Sequence, residues 1–236
     1  MKIKDSVALV TGASRGLGLA LTRSLREAGA RKVYAAARQP GRSSVEGVES
    51  IQLDVTNREQ IRAAAVRCKD VTLLVNNAGV AFGRSFLADD PLQAARSEME
   101  TNYFGPLEVS RAFAPALAVN GGGAIVNVLS VLSWLNVPQF ATYSASKAAA
   151  WSLTNGLRGE LLSQGTHVMA VHVGYMDTDM VREVDAPKMP PSVVAQLMIE
   201  ALEAGRSELL VDDFSRQIKR GLSGEVVNAF DTTSYC

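Results

Sequence analysis

Cysteine and histidine are scarce in the 236-residue chain, two of each, and neither pair is spaced for a metal. Cys68 falls in a helix-patterned stretch and Cys236 stands at the last position; with no Cys-x-x-Cys or ligand spacing, both read as incidental thiols. His167 and His172 lie five apart in a strand-patterned run, which sends them to opposite faces, and no third ligand is evident. Net charge is absent too: 24 Lys and Arg face 24 Asp and Glu, so no overall field favours nucleic acid or an anionic membrane surface. No apolar run reaches the ~18 residues a membrane span requires. Met1-Lys2-Ile3-Lys4-Asp5 runs straight into an apolar strand without a charged leader, an apolar segment or a cleavage site, so a cytoplasmic location is the expectation.

What remains is an ordinary globular composition, 47% apolar and 20% charged, enough for a substantial core in one α/β domain spanning residues 1–236. Short β-branched runs alternate with longer stretches of helical period, the signature of βαβ units around a parallel sheet covered on both faces. Strands are expected at Val7 to Val10, Val33 to Ala37, Ser50 to Leu53, Thr72 to Val75, Ala124 to Leu129, His167 to Val173 and Glu208 to Val211. Helical patterns cover Leu17 to Ala28, Arg58 to Cys68, Pro91 to Ala118, Tyr143 to Ser163 and Pro191 to Ala204, the first closed by Gly29. The expected fold is a doubly wound (Rossmann) seven-stranded parallel sheet flanked by helices. Two regions resist assignment: Asp179 to Pro190, whose charges and prolines suggest a mobile substrate loop after a strand's carboxyl end, and the tail after Gly221.

The first strand feeds Thr11-Gly12-Ala13-Ser14-Arg15-Gly16-Leu17-Gly18, with a helix beginning inside the motif. Glycines there let the backbone turn tightly and approach a pyrophosphate, which the helix N-terminus stabilises with free N–H groups and its positive dipole end. The choice of dinucleotide turns on the end of the second strand, where a carboxylate would bind the ribose hydroxyls of NAD. That strand ends Ala35-Ala36-Ala37-Arg38. No carboxylate repels a 2′-phosphate, Arg38 offers a planar fork of donors to one, and Arg15 approaches from the glycine turn, so NADP(H) is the expected cofactor.

Tyr143 and Lys147 lie four residues apart on one face of a helix. A free phenol has a pKa near ~10 and exchanges protons poorly at neutral pH. An ammonium about 5 Å away, at an effective dielectric of ~20, favours the phenolate by roughly 3 kcal/mol, so the expectation is an acidified Tyr143 acting as general acid/base. Ser130 follows the strand Ala124 to Leu129 at the same sheet edge as the glycine turn, where its hydroxyl could hold a substrate oxygen. Asn102 could bind a water that relays protons to Lys147.

With these residues in view the chain resembles the short-chain dehydrogenase/reductase family over essentially its whole length, in the family's compact single-domain branch. Asn102, Ser130, Tyr143 and Lys147 match the family's catalytic tetrad in order and spacing, and the glycine turn from Gly12 through Ser14, Arg15, Gly16 and Leu17 to Gly18 matches its cofactor motif. The resemblance implies that Asp54 and Val55 meet the adenine ring. It implies that Asn76-Asn77-Ala78-Gly79 braces the central sheet, with Asn76 near the adenosine ribose and Ala78 and Gly79 at the cofactor. It also implies that Lys147 binds the nicotinamide ribose while Tyr143 delivers the proton, and that Gly174 and Thr178 approach the nicotinamide end. One departure is Val173-Gly174 where the family commonly has Pro-Gly, which removes a fixed φ from that loop.

Phe82, Phe86, Val131, Trp134, Leu135, Val137 and Phe140 are expected mainly in the core, some of them lining an apolar cleft. The small residues Ala145, Ala148, Ala149 and Ala150 with Trp151 suit close helix packing, and the resemblance implies a homodimer or homotetramer. The activity expected is reduction of a ketone or aldehyde, reversible in principle, on a small neutral carbonyl or alcohol partner. A cofactor-binding regulatory protein without turnover is the alternative on the same fold. An extended-branch epimerase or dehydratase would need more chain after Thr178.

Overall fold

The computed structural model describes residues 1–39, 41, 46–182 and 185–222. Its seven strands are β1 (Val7–Thr11), β2 (Lys32–Ala37), β3 (Val48–Gln52), β4 (Leu73–Asn76), β5 (Ala124–Val128), β6 (His167–His172) and β7 (Glu208–Leu210). They form one sheet in the order β3-β2-β1-β4-β5-β6-β7, parallel throughout. The helices are α1 (Gly16–Glu27), α2 (Arg58–Arg67), α3 (Leu92–Met99), α4 (Gly105–Val119), α5 (Ala141–Glu160), α6 (Pro191–Glu203) and α7 (Asp213–Gly221). This is the doubly wound architecture expected from the alternating pattern.

β1 shows why such a strand reads as an unbroken apolar run: all five of its residues are buried, because helices cover both faces. Ala8 and Val10 join a core with Leu17, Leu21 and Leu25 of α1 and Val194, Met198 and Leu202 of α6. Val7 and Leu9 point the other way, toward Ile61 of α2, Val109, Phe113 and Leu117 of α4 and Leu157 of α5. Each large apolar side chain fully withdrawn from water contributes roughly 1.5–3 kcal/mol, so this two-faced core fixes the strand register and with it the carboxyl edge of the sheet. α1 ends where its sequence says it should, at a left-handed Gly29 (φ +89°).

Two helical expectations need correction. The stretch from Pro91 to Ala118 is not one helix: α3 and α4 are joined by a five-residue π segment, Glu100–Phe104. Pro106 is the physical reason, since it has no N–H to give the Asn102 carbonyl four residues back and its ring crowds that turn. α7 was not foreseen. It is short and largely polar, with Phe214 and Ile218 as its apolar pair; Asp212 caps it by accepting from the Ser215 N–H at 2.7 Å. Cys236 and nearly all of the tail after Gly221 lie outside the described residues. Cys68 ends α2 in full burial, which pushes its thiol up to about 12.

Candidate active site

The sheet order reverses between β1 and β4, and a cleft of about 1860 Å³ opens over the carboxyl ends of the strands at that point. Its walls include Gly12, Ser14, Arg15, Gly16, Leu17, Arg38, Asp54, Val55, Ala78 and Gly79 toward β1 and β2. Toward β5 and β6 they include Ser130, Tyr143, Lys147, Gly174 and Thr178. A space this size exceeds a typical small-ligand pocket of ~300–1,000 Å³ and accommodates a dinucleotide with a small second molecule.

The glycine turn fits a pyrophosphate on three counts. Gly12 and Gly16 hold φ of +68° and +53°, a region costly for other residues. A Cβ on Gly12 would stand 2.9 Å from the Ala78 Cα, so no side chain can sit between the turn and the β4 segment. The start of α1 has neither a side-chain cap nor an acidic residue in its first turn, which leaves its N–H groups and dipole to a ligand. Gly18 serves differently: it is absent from the cleft wall, and its Cβ would collide with the Gly12 carbonyl oxygen at 2.3 Å. Its role is the close packing of α1 on the turn.

Asn76 is a correction. It is buried, its amide donating to Ser110 Oγ at 3.0 Å and Asn127 Oδ1 at 2.8 Å, and it faces the core rather than a ribose. Its neighbour Asn77 lines the cleft and donates to the Thr11 and Gly12 carbonyls at 2.9 and 3.3 Å, bracing the glycine turn. Asp54 stands on the wall with Oδ1 accepting from the Thr56 N–H and hydroxyl at 3.0 and 2.8 Å. Arg38 is exposed on the same wall, while Arg15 is ion-paired with Asp179 at 3.0 Å.

β5 and α5 bring the expected chemical groups together. The chain leaves β5, turns at Ser130 and enters a short 3-10 turn, Val131–Ser133, whose Leu132 N–H donates to Ser130 Oγ at 3.1 Å. Tyr143 and Lys147 occupy successive turns of α5, with Lys147 Nζ 5.7 Å from the centre of the tyrosine ring. Ser130 and Tyr143 both line the cleft, and the Ser130 hydroxyl is near enough to act on the phenol. Lys147, only 5% exposed, donates to the Val128 carbonyl at 2.8 Å.

The electrostatics differ from the sequence expectation. Enclosure by the protein pushes the Tyr143 phenol above its ordinary range, the nearby Ser130 hydroxyl pulls it down by less, and the Glu98 carboxylate adds to the rise. Burial lowers Lys147 from 10.5 to about 8. Desolvation therefore outweighs the attraction of one ammonium, and the phenol stands protonated.

The Asn102 side chain is engaged with the protein. Its Oδ1 accepts from the Val80 N–H at 2.9 Å, and its amide donates to the Val80 carbonyl at 2.8 Å and to Ser146 Oγ at 2.9 Å. Both amide hydrogens are engaged, so the side chain positions the segment after β4. Glu98, one turn earlier and fully buried, takes the Phe82 N–H at 2.8 Å. Phe82, Val131, Leu135, Val137 and Phe140 line the cleft; Phe86 is half exposed.

Two positioning residues escaped the sequence reading. Asp212, a cleft residue, accepts from the Gly174 N–H at 2.7 Å through Oδ2, clamping the turn that lacks proline. His172, fully buried and stacked on Trp134 at 3.7 Å, donates from Nδ1 to the Ser130 carbonyl at 3.1 Å; burial lowers it to about 4 and keeps it neutral. The described part of the loop after β6 is tied at its base, Asp177 N–H to the Met189 carbonyl and Met189 N–H to the Tyr175 carbonyl, both at 2.9 Å. Among the described residues no helix is long and apolar enough to cross a membrane.

Fold and cleft together define a dinucleotide-binding α/β oxidoreductase. The chain belongs to the short chain dehydrogenase family, whose sequence model matches residues 6–188. It is 44% identical to a short chain dehydrogenase from Burkholderia cenocepacia J2315 with a crystal structure in complex with NADP. The two superpose with a TM-score of 0.93 over 97% of each chain. It is 36% identical over 190 residues to galactitol 2-dehydrogenase (L-tagatose-forming) of Cereibacter sphaeroides, covering 76% of this chain and 74% of that one. With dehydrogenase/reductase SDR family member 7B of Danio rerio it shares 33% identity over 196 residues, 75% of this chain but only 63% of the relative's length.

Proposed function

We propose that this oxidoreductase moves a hydride between NADP(H) and a small carbonyl or alcohol substrate, acting as a ketone or aldehyde reductase with Tyr143 as the general acid/base. The observation that carries the reading is that Ser130, Tyr143 and the buried Lys147 share the wall of one cleft with the glycine turn, the Lys147 ammonium 5.7 Å from the tyrosine ring. When bound, the nicotinamide supplies the hydride that adds to the carbonyl carbon. A substrate oxygen set between the two hydroxyls receives a hydrogen bond from Ser130 and the proton of Tyr143 as its negative charge develops. The raised pKa of Tyr143 suits this direction, because the phenol is held in the donating form and an alkoxide is a far stronger base. Lys147, charged below about pH 8, then stabilises the phenolate left behind.

NADP(H) rather than NAD(H) is supported by the carboxylate-free end of β2, by Arg38 and Arg15, and by the NADP held by the Burkholderia cenocepacia protein. Gly174, Thr178 and Lys147 are assigned to the nicotinamide half, Asp54 and Val55 to the adenine. Asn102 supports the reaction from behind; its backbone carbonyl, which Pro106 cannot serve, is the acceptor it can offer to a water near Lys147. Self-association through α4 and α5 belongs to the same reading, with Phe104, just ahead of α4, 42% exposed.

The test is NADPH and NADH oxidation with a panel of small ketones, aldehydes and quinones, on wild type and Tyr143→Phe. The phenylalanine variant is expected to lose roughly 10²–10⁴-fold in kcat while binding cofactor as tightly as wild type, because only the transferable proton is gone. Undiminished turnover in that variant would overturn the assignment. Tight cofactor binding by wild type with no turnover of any substrate would favour the regulatory alternative.

A further inference from the structure

We infer that Asp179 is a cofactor-specificity residue: it holds Arg15 in an ion pair and so competes with the 2′-phosphate of NADP(H) for that arginine. The inference rests on the NADP(H) reading and deepens it. Arg15 heads α1 from the glycine turn, and its Nη1 lies 3.0 Å from Asp179 Oδ2. The two residues bring the loop after β6 against the turn after β1. Thr178 packs there as well, since a Cβ on Gly16 would meet its Cγ2 at 3.3 Å.

The sheet order sets the two partners of Arg15 on opposite sides of β1. β2, which ends at Arg38, lies beside β1 on one side, whereas β6 lies on the other side beyond β4 and β5. A 2′-phosphate held by Arg38 therefore sits on the β2 side, and a guanidinium is planar, with its five donors fixed in one fork. Donors that Arg15 turns to Asp179 on the β6 side are withdrawn from that phosphate. Release is eased because Asp179 also pairs with Arg182, so its carboxylate keeps a cation when Arg15 swings away. NAD(H), with a hydroxyl in place of the phosphate, makes no demand on Arg15 and leaves the pair undisturbed. The Arg15 side chain is 75% exposed, and a pair so exposed holds its partner by only about two- to fivefold, which sets the size of the effect.

The experiment measures equilibrium binding of NADPH, NADH, adenosine 2′,5′-bisphosphate and AMP to wild type, Asp179→Asn, Arg15→Ala, Arg38→Ala and the Arg15→Ala/Asp179→Asn double variant. Asp179→Asn is expected to tighten NADPH and the bisphosphate about two- to fivefold, to leave NADH and AMP unchanged, and to do nothing on the Arg15→Ala background. The two short probes reach only the adenosine half, which separates this competition from any change at the nicotinamide. A gain shared equally by NADPH and NADH, or one that persists without Arg15, overturns the inference while leaving the NADP(H) reading intact. Loss of NADPH affinity in neither Arg15→Ala nor Arg38→Ala overturns the NADP(H) reading itself, and this inference with it.

Discussion

Replacing Lys147 with methionine should make the protein more stable and nearly inactive. The lysine is 5% exposed and its pKa is lowered from 10.5 to about 8 by burial alone. At about 1.4 kcal/mol for each factor of ten, confining the ammonium costs the fold roughly 3 kcal/mol at pH 7. Methionine has similar length and no charge to desolvate, but it leaves the Val128 carbonyl without its 2.8 Å donor, a loss of about 1–2 kcal/mol. The net gain is about 1–2 kcal/mol, or a Tm raised by roughly 3–6 °C in a chain of this size. Between pH 8 and 10.5 the folded protein holds fewer protons than the unfolded chain at this site, so wild type gains stability as pH rises through that window. The advantage of Lys147→Met should therefore be largest below pH 8, vanish near about pH 9 and become a deficit of about 1–2 kcal/mol by about pH 10.5, where only the lost hydrogen bond remains. Denaturant titrations of the two proteins without cofactor at pH 7, 9 and 10.5 measure it. A variant less stable than wild type at pH 7, or a difference that ignores pH, would refute the desolvation argument.

The alkaline limb of kcat/KM for carbonyl reduction should lie near pH 8, where Lys147 loses its charge, and a limb displaced well above pH 10 would mean that the phenol titrates instead. Gly18→Ala should cost about 1–3 kcal/mol of stability and weaken cofactor binding at least tenfold. Its Cβ meets the Gly12 carbonyl oxygen at 2.3 Å, backbone against backbone, so the glycine turn must deform; unchanged cofactor affinity would show that the turn tolerates it.

The parts of this molecule legible in the sequence are those written in local pattern. The unbroken apolar run of Val7 to Val10, the Leu17, Leu21 and Leu25 spacing, the left-handed glycines and the Tyr143 to Lys147 interval each depend on a few neighbouring residues, and each fixes an element of the sheet edge. What could not be read depends on distance or on solvent. Asp212 and Gly174 are 38 positions apart; no local signal joins them, although an aspartate ahead of Phe214 and Ile218 with Lys219 and Arg220 behind was a readable helix cap. Asn76 and Asn77 are adjacent, and at a strand end one of any such pair faces the core, so the motif could not say which. The π segment needed the observation that Pro106 has no N–H for the carbonyl four residues back.

The electrostatic expectation failed for the same reason that the site is well made. It counted one attraction between charges and took the surroundings as given. In the folded chain the surroundings dominate: shutting water out raises Tyr143 and lowers Lys147 together, so the lysine titrates first, the reverse of the situation in which it would acidify the phenol. Around them other polar groups are tied to backbone, Asn77 at Thr11 and Gly12, Asn102 at Val80, Glu98 at Phe82, Asp212 at Gly174 and His172 at Ser130. Each of these fixes a segment of the cleft wall without facing the reaction. Two hydroxyls are left aimed into the cleft in place before any substrate arrives, and donors that need no reorganisation stabilise a developing oxyanion better than water does.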